Sequence, residues 1–244
     1  MSFTVIIPAR YASTRLPGKA LLDIAGKPMV AHVVDRVNES NAHRVIVATD
    51  DQRIVDALQG LECEVCLTRI DHESGSDRLA EVVEKLDIPD DEVVVNVQGD
   101  EPMIPGRLID QVAQCLRNAY GAAMSTAARK IIDPAMIDDP NAVKVVFTHQ
   151  GQAMYFSRAP IPYARDSRKA DAWHHIGIYA YRSGFLKRYH LLEESMIEQT
   201  ESLEQLRVLD NGERIMVEQV DYDTGVGVDT PSDLEKVRAL MGAV

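Results

Sequence analysis

Phe3-Thr-Val-Ile-Ile-Pro-Ala-Arg-Tyr-Ala-Ser-Thr-Arg-Leu-Pro-Gly-Lys19 is the stretch on which the fold turns. Its first five residues are apolar or β-branched and are closed by Pro8, which predicts a strand buried on both faces. A loop follows. Ala, Ser and Gly in it allow a ligand close to the backbone, and Arg10, Arg15 and Lys19 set three positive charges beside it. That combination suits a polyphosphate, against the plainer alternative of a βα loop with solvated basic residues. The Gly-x-Gly-x-x-Gly fingerprint is missing, and Pro17-Gly18-Lys19 lacks the earlier Gly and following Ser/Thr of a P-loop.

Beyond this stretch the chain alternates between the two periods of a parallel sheet with crossover helices. Pro28 is placed to open a helix striped by Val30, Val33, Val34 and Val37; a strand at 45–49, a helix through Ile54 and Leu58, and a strand at 63–67 follow. His72-Glu-Ser-Gly-Ser-Asp-Arg78 feeds a helix carrying Leu79, Val82, Val83 and Leu86. Ser76 there reads equally as a helix cap or a ligand contact. The strand at 93–97 runs into Gln98-Gly-Asp-Glu-Pro102, so Asp100 stands where open α/β sheets bind ligands, unless it is a turn or cap residue. A helix at 105–118 and a strand at 122–128 complete this half.

The second half is less regular. Met154-Tyr-Phe-Ser-Arg-Ala-Pro-Ile-Pro162 breaks the rhythm with two prolines and predicts a small antiparallel extension, residues 150–185. On the strand at 174–182, His175, Gly177, Tyr179 and Tyr181 share one face by alternation; such a histidine is usually a satisfied structural residue, although the face suits a polyhydroxylated acid. Residues 202–209 read as one helix whose Glu204 and Gln205 are ordinary exposed polars without further context. A last strand at 215–220 precedes Val226-Gly-Val-Asp-Thr-Pro-Ser-Asp233. Thr230, Pro231 and Asp233 are explained as a capping box on a helix carrying Leu234, Val237 and Leu240, and Asp229 is left over.

Composition sets the bounds. At 244 residues, 45% hydrophobic and 26% charged, the chain fits one α/β domain, residues 1–244. No segment is long and uncharged enough to span a bilayer and the first residues already form a strand pattern, so a soluble, cytoplasmic protein is expected. A formal charge of −12 argues against nucleic acid as a partner. Cys63 and Cys66 fall on opposite faces of a strand and cannot share one metal ion.

Val5-Ile-Ile-Pro-Ala-Arg-Tyr-Ala-Ser-Thr-Arg-Leu-Pro-Gly-Lys19, His72–Arg78, Asn96–Pro102, Asp139-Pro-Asn-Ala-Val-Lys-Val-Val146, Leu203-Glu-Gln-Leu-Arg207 and Gly227-Val-Asp-Thr-Pro231 together resemble, in order, the cytidylyltransferases that activate 3-deoxy-D-manno-octulosonate (Kdo), and more distantly the sugar nucleotidyltransferases. The resemblance implies an open, mostly parallel nucleotide-diphospho-sugar transferase-like sheet with helices on both faces. It implies transfer of CMP from CTP to the anomeric 2-hydroxyl of Kdo, activating it for lipopolysaccharide synthesis. It makes Asp100 and Asp229 ligands of a magnesium cofactor, with Lys19 and Arg10 beside them as catalytic groups. CTP would lie on Pro8, Ala9, Arg10, Ser13, Arg15, Lys19, Ser74, Gly75, Arg78 and Gln98, and Kdo on Gln98, Arg158, His175, Tyr179, Glu204 and Gln205. It also implies a homodimer; the segment 155–162 is read here as its contact or as a cover over the site, against a plain surface hairpin, and the polar connection 164–173 is shorter than in many such enzymes. Two other readings stand beside this one: a sibling enzyme for sialic acid or 8-amino-Kdo, and a nucleotide-binding regulatory module without turnover.

Overall fold

Strand β1 (Thr4–Pro8) leads into a two-stranded hairpin, β2 (Asp23–Ile24) and β3 (Lys27–Pro28), and then into α1 (Met29–Asn38). The alternation continues through β4 (Arg44–Thr49), α2 (Gln52–Ala57), β5 (Glu64–Leu67), α3 (Gly75–Lys85), β6 (Val93–Asn96), α4 (Gly106–Asn118) and β7 (Met124–Lys130). Then come α5 (Ala135–Asp138), β8 (Lys144–Phe147), β9 (Ala153–Ser157), β10 (Trp173–Arg182), α6 (Ser183–Arg188), α7 (Met196–Glu201), α8 (Gln205–Asp210), β11 (Ile215–Val220) and α9 (Pro231–Gly242). The computed structural model describes residues 2–12, 16–72, 74–165 and 171–242, so Ser13, Arg15 and residues 166–170 of the polar connection lie outside the described residues.

The main sheet has the order β11-β7-β10-β6-β1-β4-β5. β1 pairs in parallel with β4 and β6, β4 with β5, and β11 with β7; β10 runs antiparallel between β6 and β7. The mostly parallel α/β sheet expected from the sequence is therefore present. The antiparallel extension begins earlier than expected: β8 pairs with β9 and touches β10 at Lys144 and His174, whereas β10 itself belongs to the main sheet.

Alternation along β1 and β6 divides the core. Val5, Ile7, Val93, Val95 and Val97 face one side with α1 and α4, while Ile6 and Val94 face the other with α3, α6 and α8. Cys63 and Cys66 fall on these opposite sides, which rules out chelation of one ion by the pair. A third, smaller cluster of Ile24, Met29, Val228, Leu234 and Val237 clamps α9 against the β2–β3 hairpin. Leu240, expected on the same stripe, is 46% exposed.

Several local expectations change. Pro28 precedes α1 in an extended conformation instead of opening it. Residues 202–209 do not form one helix, because Ser202 is left-handed at φ 53° and ends α7 before α8 starts. The bend is held from both sides. Glu201 accepts from Ser157 Oγ at 2.5 Å and from Arg158 N at 2.9 Å, and Arg207 makes a two-point ion pair with Glu198 at 2.8 Å.

The first turn of α3 is tied to β4 by a buried ion pair, Arg78 Nη2 to Asp50 Oδ2 at 2.8 Å, with both side chains under a tenth exposed. Thr68 Oγ1 accepts from the same guanidinium. Removing one partner of such a pair strands a buried charge. Asp50→Ala is expected to lower the unfolding free energy by about 3–5 kcal/mol, read as a shift in denaturant midpoint at constant m-value. A loss within about 0.5 kcal/mol, the range of ordinary surface substitutions, would show that the pair holds nothing together.

Candidate active site

Three loops converge over the carboxyl ends of the central strands, and a single ammonium joins them. Lys19 Nζ donates to Asp100 Oδ2 at 2.6 Å, to the Val228 carbonyl at 2.8 Å and to Asp229 Oδ1 at 3.3 Å. Val228 N in turn donates to the Asp100 carbonyl at 2.9 Å. Asp100 and Asp229, 129 positions apart in the sequence, thus lie within reach of one cation.

Each loop has a local reason for its course. Gly18 turns left-handed at φ 68° against the Tyr11 ring, and its N–H donates to the Tyr11 carbonyl at 3.1 Å, which brings Lys19 back beneath β1. Gly18 therefore serves the turn. Gly99 lies so near β1 that a Cβ would meet the Pro8 carbonyl oxygen at 2.8 Å. Asp233 Oδ2 accepts from Thr230 N at 2.8 Å and from Asp229 N at 3.2 Å, and Thr230 Oγ1 accepts from Asp233 N at 3.2 Å, so the expected capping box also fixes the backbone of Asp229.

Around this knot lies a cleft of about 260 Å³, open to solvent, walled by Pro8, Ala9, Arg10, Lys19, Ser74, Gly75, Arg78, Gln98, Asp100 and Asp229 among others. The sequence singled out all ten of these, eight of them as nucleotide contacts. Ser74, not Ser76, caps α3: its hydroxyl accepts from Asp77 N at 3.1 Å within a full capping box. The cap leaves the first N–H groups of α3 at the cleft wall, an arrangement suited to an anion. Negative charge is concentrated at the other side. Glu101 sits beside Asp100 and Asp229, and burial together with those two carboxylates pushes its carboxyl up to about 8.

A second cavity of about 260 Å³ adjoins the first, with Gly75, Gln98 and Glu204 forming walls of both. Its other walls include Ser76, Asn96, Tyr179, Tyr181, Tyr189 and Gln205. Ser76 Oγ donates to Glu204 Oε2 at 3.3 Å. The cavity walls enclose Glu204 and raise its carboxyl above the usual range. Gln205, which the sequence alone makes an exposed polar, is 4% exposed because the bend at Ser202 turns it inward. Asn96 escaped notice. Its signal was an amide on the core-facing side of an otherwise apolar strand, two residues after Val94.

Two residues assigned to the sugar acid by resemblance stand apart from both cavities. Arg158 donates from Nε to the Glu201 carbonyl at 2.7 Å and from Nη1 to the Pro140 carbonyl at 2.9 Å, clamping the extension. His175 is 6% exposed, with Nε2 at 2.9 Å from Thr126 Oγ1 and its ring edge-on to Phe156 at 4.9 Å. Tyr179 stays on the same face as His175 across a bulge that replaces one step of the ladder; Gly177 lies in the bulge and is exposed.

An open α/β sheet with a mixed basic and acidic cleft at its strand ends, joined to a second polar cavity, defines an enzyme that brings a nucleotide phosphate to a hydroxylated acceptor. Comparison with known proteins narrows this. Residues 4–215 match the family model described as cytidylyltransferase. Two 3-deoxy-manno-octulosonate cytidylyltransferases, from Photobacterium profundum and Histophilus somni, are 56% and 53% identical over 99% and 100% of this chain and 100% of their own. A solved structure of CMP:2-keto-3-deoxy-manno-octonic acid synthetase complexed with CTP superposes with a TM-score of 0.94 at 48% identity, covering 100% of this chain and 99% of that one. A cytidylyltransferase from Leptospira borgpetersenii serovar Hardjo-bovis shares the fold, with a TM-score of 0.67 at 17% identity over 100% of this chain and 88% of its own. The chain belongs to the cytidylyltransferase family, in the branch of the 3-deoxy-manno-octulosonate enzymes.

The imidazole of His175 has a pH consequence. Burial, with His174 adding to it, drives its pKa down to about 3, so the native state holds it neutral while the unfolded chain binds a proton near the ordinary value. Its contribution is complete above that ordinary value and is lost as pH falls through the interval. From pH 6.5 to 4.5 the wild type should lose roughly 2 kcal/mol more unfolding free energy than His175→Gln, the slope approaching about 1.4 kcal/mol per pH unit once the unfolded imidazole is charged. Parallel denaturation profiles for the two proteins would contradict the neutral, buried assignment.

Proposed function

We propose that the chain transfers CMP from CTP to the anomeric 2-hydroxyl of Kdo, releasing pyrophosphate, in a magnesium-dependent reaction. The observation that carries this reading is the shared wall of the two cavities. Gln98, Glu204 and Gly75 separate a cleft suited to a nucleotide triphosphate from a cavity suited to a polyol, so two bound substrates would meet there.

Lys19, Arg10 and the exposed N–H groups of α3 offset charge on the phosphates. The sugar hydroxyl oxygen attacks the α-phosphorus and gives up its proton to solvent, the bond from that phosphorus to the bridging oxygen breaks, and the electron pair leaves with pyrophosphate. Gln98 stands at the boundary, positioned to orient either reactant. Among the described residues no side chain in the cleft is dedicated as a general base, and rate enhancement is assigned mainly to alignment and charge stabilisation.

Magnesium fits the residues present. It favours oxygen ligands and takes one or two carboxylates together with phosphate oxygens and water; Asp100 and Asp229 converge on one cationic group and supply that number. Among the described residues, no group of three or more His, Cys, Asp or Glu side chains forms a closed metal cage, in keeping with an ion shared with the substrate. When bound, the ion would lower the pKa of the attacking hydroxyl and neutralise phosphate charge.

Among the described residues no helix is long and apolar enough to cross a membrane, and a cytoplasmic location is part of the proposal. So is a homodimer, for which the extension offers exposed Met154 and Tyr163. Tyr163→Asp, next to the segment 155–162, should shift the sedimentation of the protein from dimer toward monomer at micromolar concentration; identical profiles would remove this end of the extension from the interface.

The activity itself is tested by pyrophosphate release. CTP should be consumed only with both Kdo and magnesium present, and Asp100→Asn, Asp229→Asn and Lys19→Met should each lower kcat/KM by roughly 10²–10³-fold. Because this knot is partly exposed, the melting temperatures should move little. Release that is indifferent to Kdo, or carboxamide variants as active as the wild type, would overturn the reading.

A further inference from the structure

Two polar atoms in the second cavity are buried with no hydrogen-bond partner among the described residues: Asn96 Oδ1 and Gln205 Nε2. Their residues are 2% and 4% exposed, and both line the cavity. Asn96 is the last residue of β6, level with Ile6 of β1 on one side and Tyr179 of β10 on the other. Val94, two residues earlier on the same face, fills the core, so the local pattern asks for an apolar side chain at 96. An amide there leaves a bare acceptor, which folded proteins rarely tolerate unless a ligand or water satisfies it.

Resting on the function proposed above, we propose that Asn96 is a specificity-determining residue, whose amide oxygen accepts a hydrogen bond from one alcohol hydroxyl of the sugar acid. The chemistry excludes other ligand groups from this position. An amide oxygen only accepts, so the group facing it must carry a hydrogen. A carboxylate cannot sit against it, and the acid function of the ligand is directed elsewhere in the cavity. Gln205 Nε2 supplies the complementary donor for a second ligand oxygen. The phenols of Tyr179, Tyr181 and Tyr189 remain protonated, since burial raises all three, so they add no charge that would compete for the hydroxyl. Recognition by an otherwise unpaired acceptor discriminates strongly, because an analogue lacking the hydroxyl leaves the oxygen bare.

The test pairs Asn96→Leu, branched at the same carbon and apolar like its strand neighbours, with Asn96→Ala in case the bulkier leucine disturbs folding. Steady-state pyrophosphate release is measured with Kdo and with each monodeoxy Kdo in turn. Wild-type turnover of Kdo checks the underlying reading separately; without it, this proposal falls as well. The expected result is a KM for Kdo raised roughly tenfold or more in the variants, with KM for CTP and the melting temperature close to wild type. One monodeoxy analogue should be penalised by the wild type and treated like Kdo by the variants. An unchanged KM for Kdo, or an equal penalty for every analogue in wild type and variants, overturns the assignment.

Discussion

Lys19 is the constraint on which the site depends. Its ammonium holds a carboxylate from the loop after β6, another from the loop before α9 and a backbone carbonyl beside the second, while its own loop springs from β1. No two of these segments are near in sequence. Their meeting needs the parallel β1–β6 pairing and the small apolar cluster that docks α9 on the β2–β3 hairpin. Because the ion pairs are partly exposed, they add little to global stability. What they supply is a fixed separation between two acidic groups that would otherwise repel.

The electrostatic balance of that knot is incomplete. Asp100, Glu101 and Asp229 share the Lys19 ammonium, and the protein answers by raising the Glu101 carboxyl toward neutrality. Gly227 keeps the acidic groups close, since a Cβ there would fall 2.6 Å from Glu101 Oε1. An acidic pocket of this kind does not attract a triphosphate by itself. Under the function proposed above, Arg10, Lys19 and the N-terminus of α3 would do that, letting a chain of formal charge −12 receive an anionic substrate.

Much of this was legible in the sequence because it rests on local rules. The strands and helices of the first half follow from apolar period and flanking turn residues, and the Thr230–Asp233 cap from spacing alone. What escaped depends on tertiary geometry. Ser202 carries no residue-type signal for a left-handed turn, yet its φ of 53° splits a helix and converts Gln205 from a surface polar into a buried wall. Arg158, a ligand contact by resemblance, has Nε and Nη1 on the carbonyls of Glu201 and Pro140, contacts that no local pattern announces. Gly177 was placed by strict alternation, which the bulge in β10 interrupts.

The bulge and the bend also explain why the second cavity exists at all. Continuous alternation along β10 and an unbroken helix from 202 would bring ordinary side chains against the end of β6, and the core would close over Asn96 as it does over Val94. Instead two irregularities, one in a strand and one between helices, leave room above an unpaired amide. The first falls at Gly177 and the second turns on a serine, and both are held by partners elsewhere. Thr126 Oγ1 lies within hydrogen-bond distance of the Ile176 and Ile178 carbonyls that flank the bulge, and the Glu201 carboxylate grips the end of β9. The first cleft is thus built from the regular half of the fold, and the second cavity from the places where regularity fails.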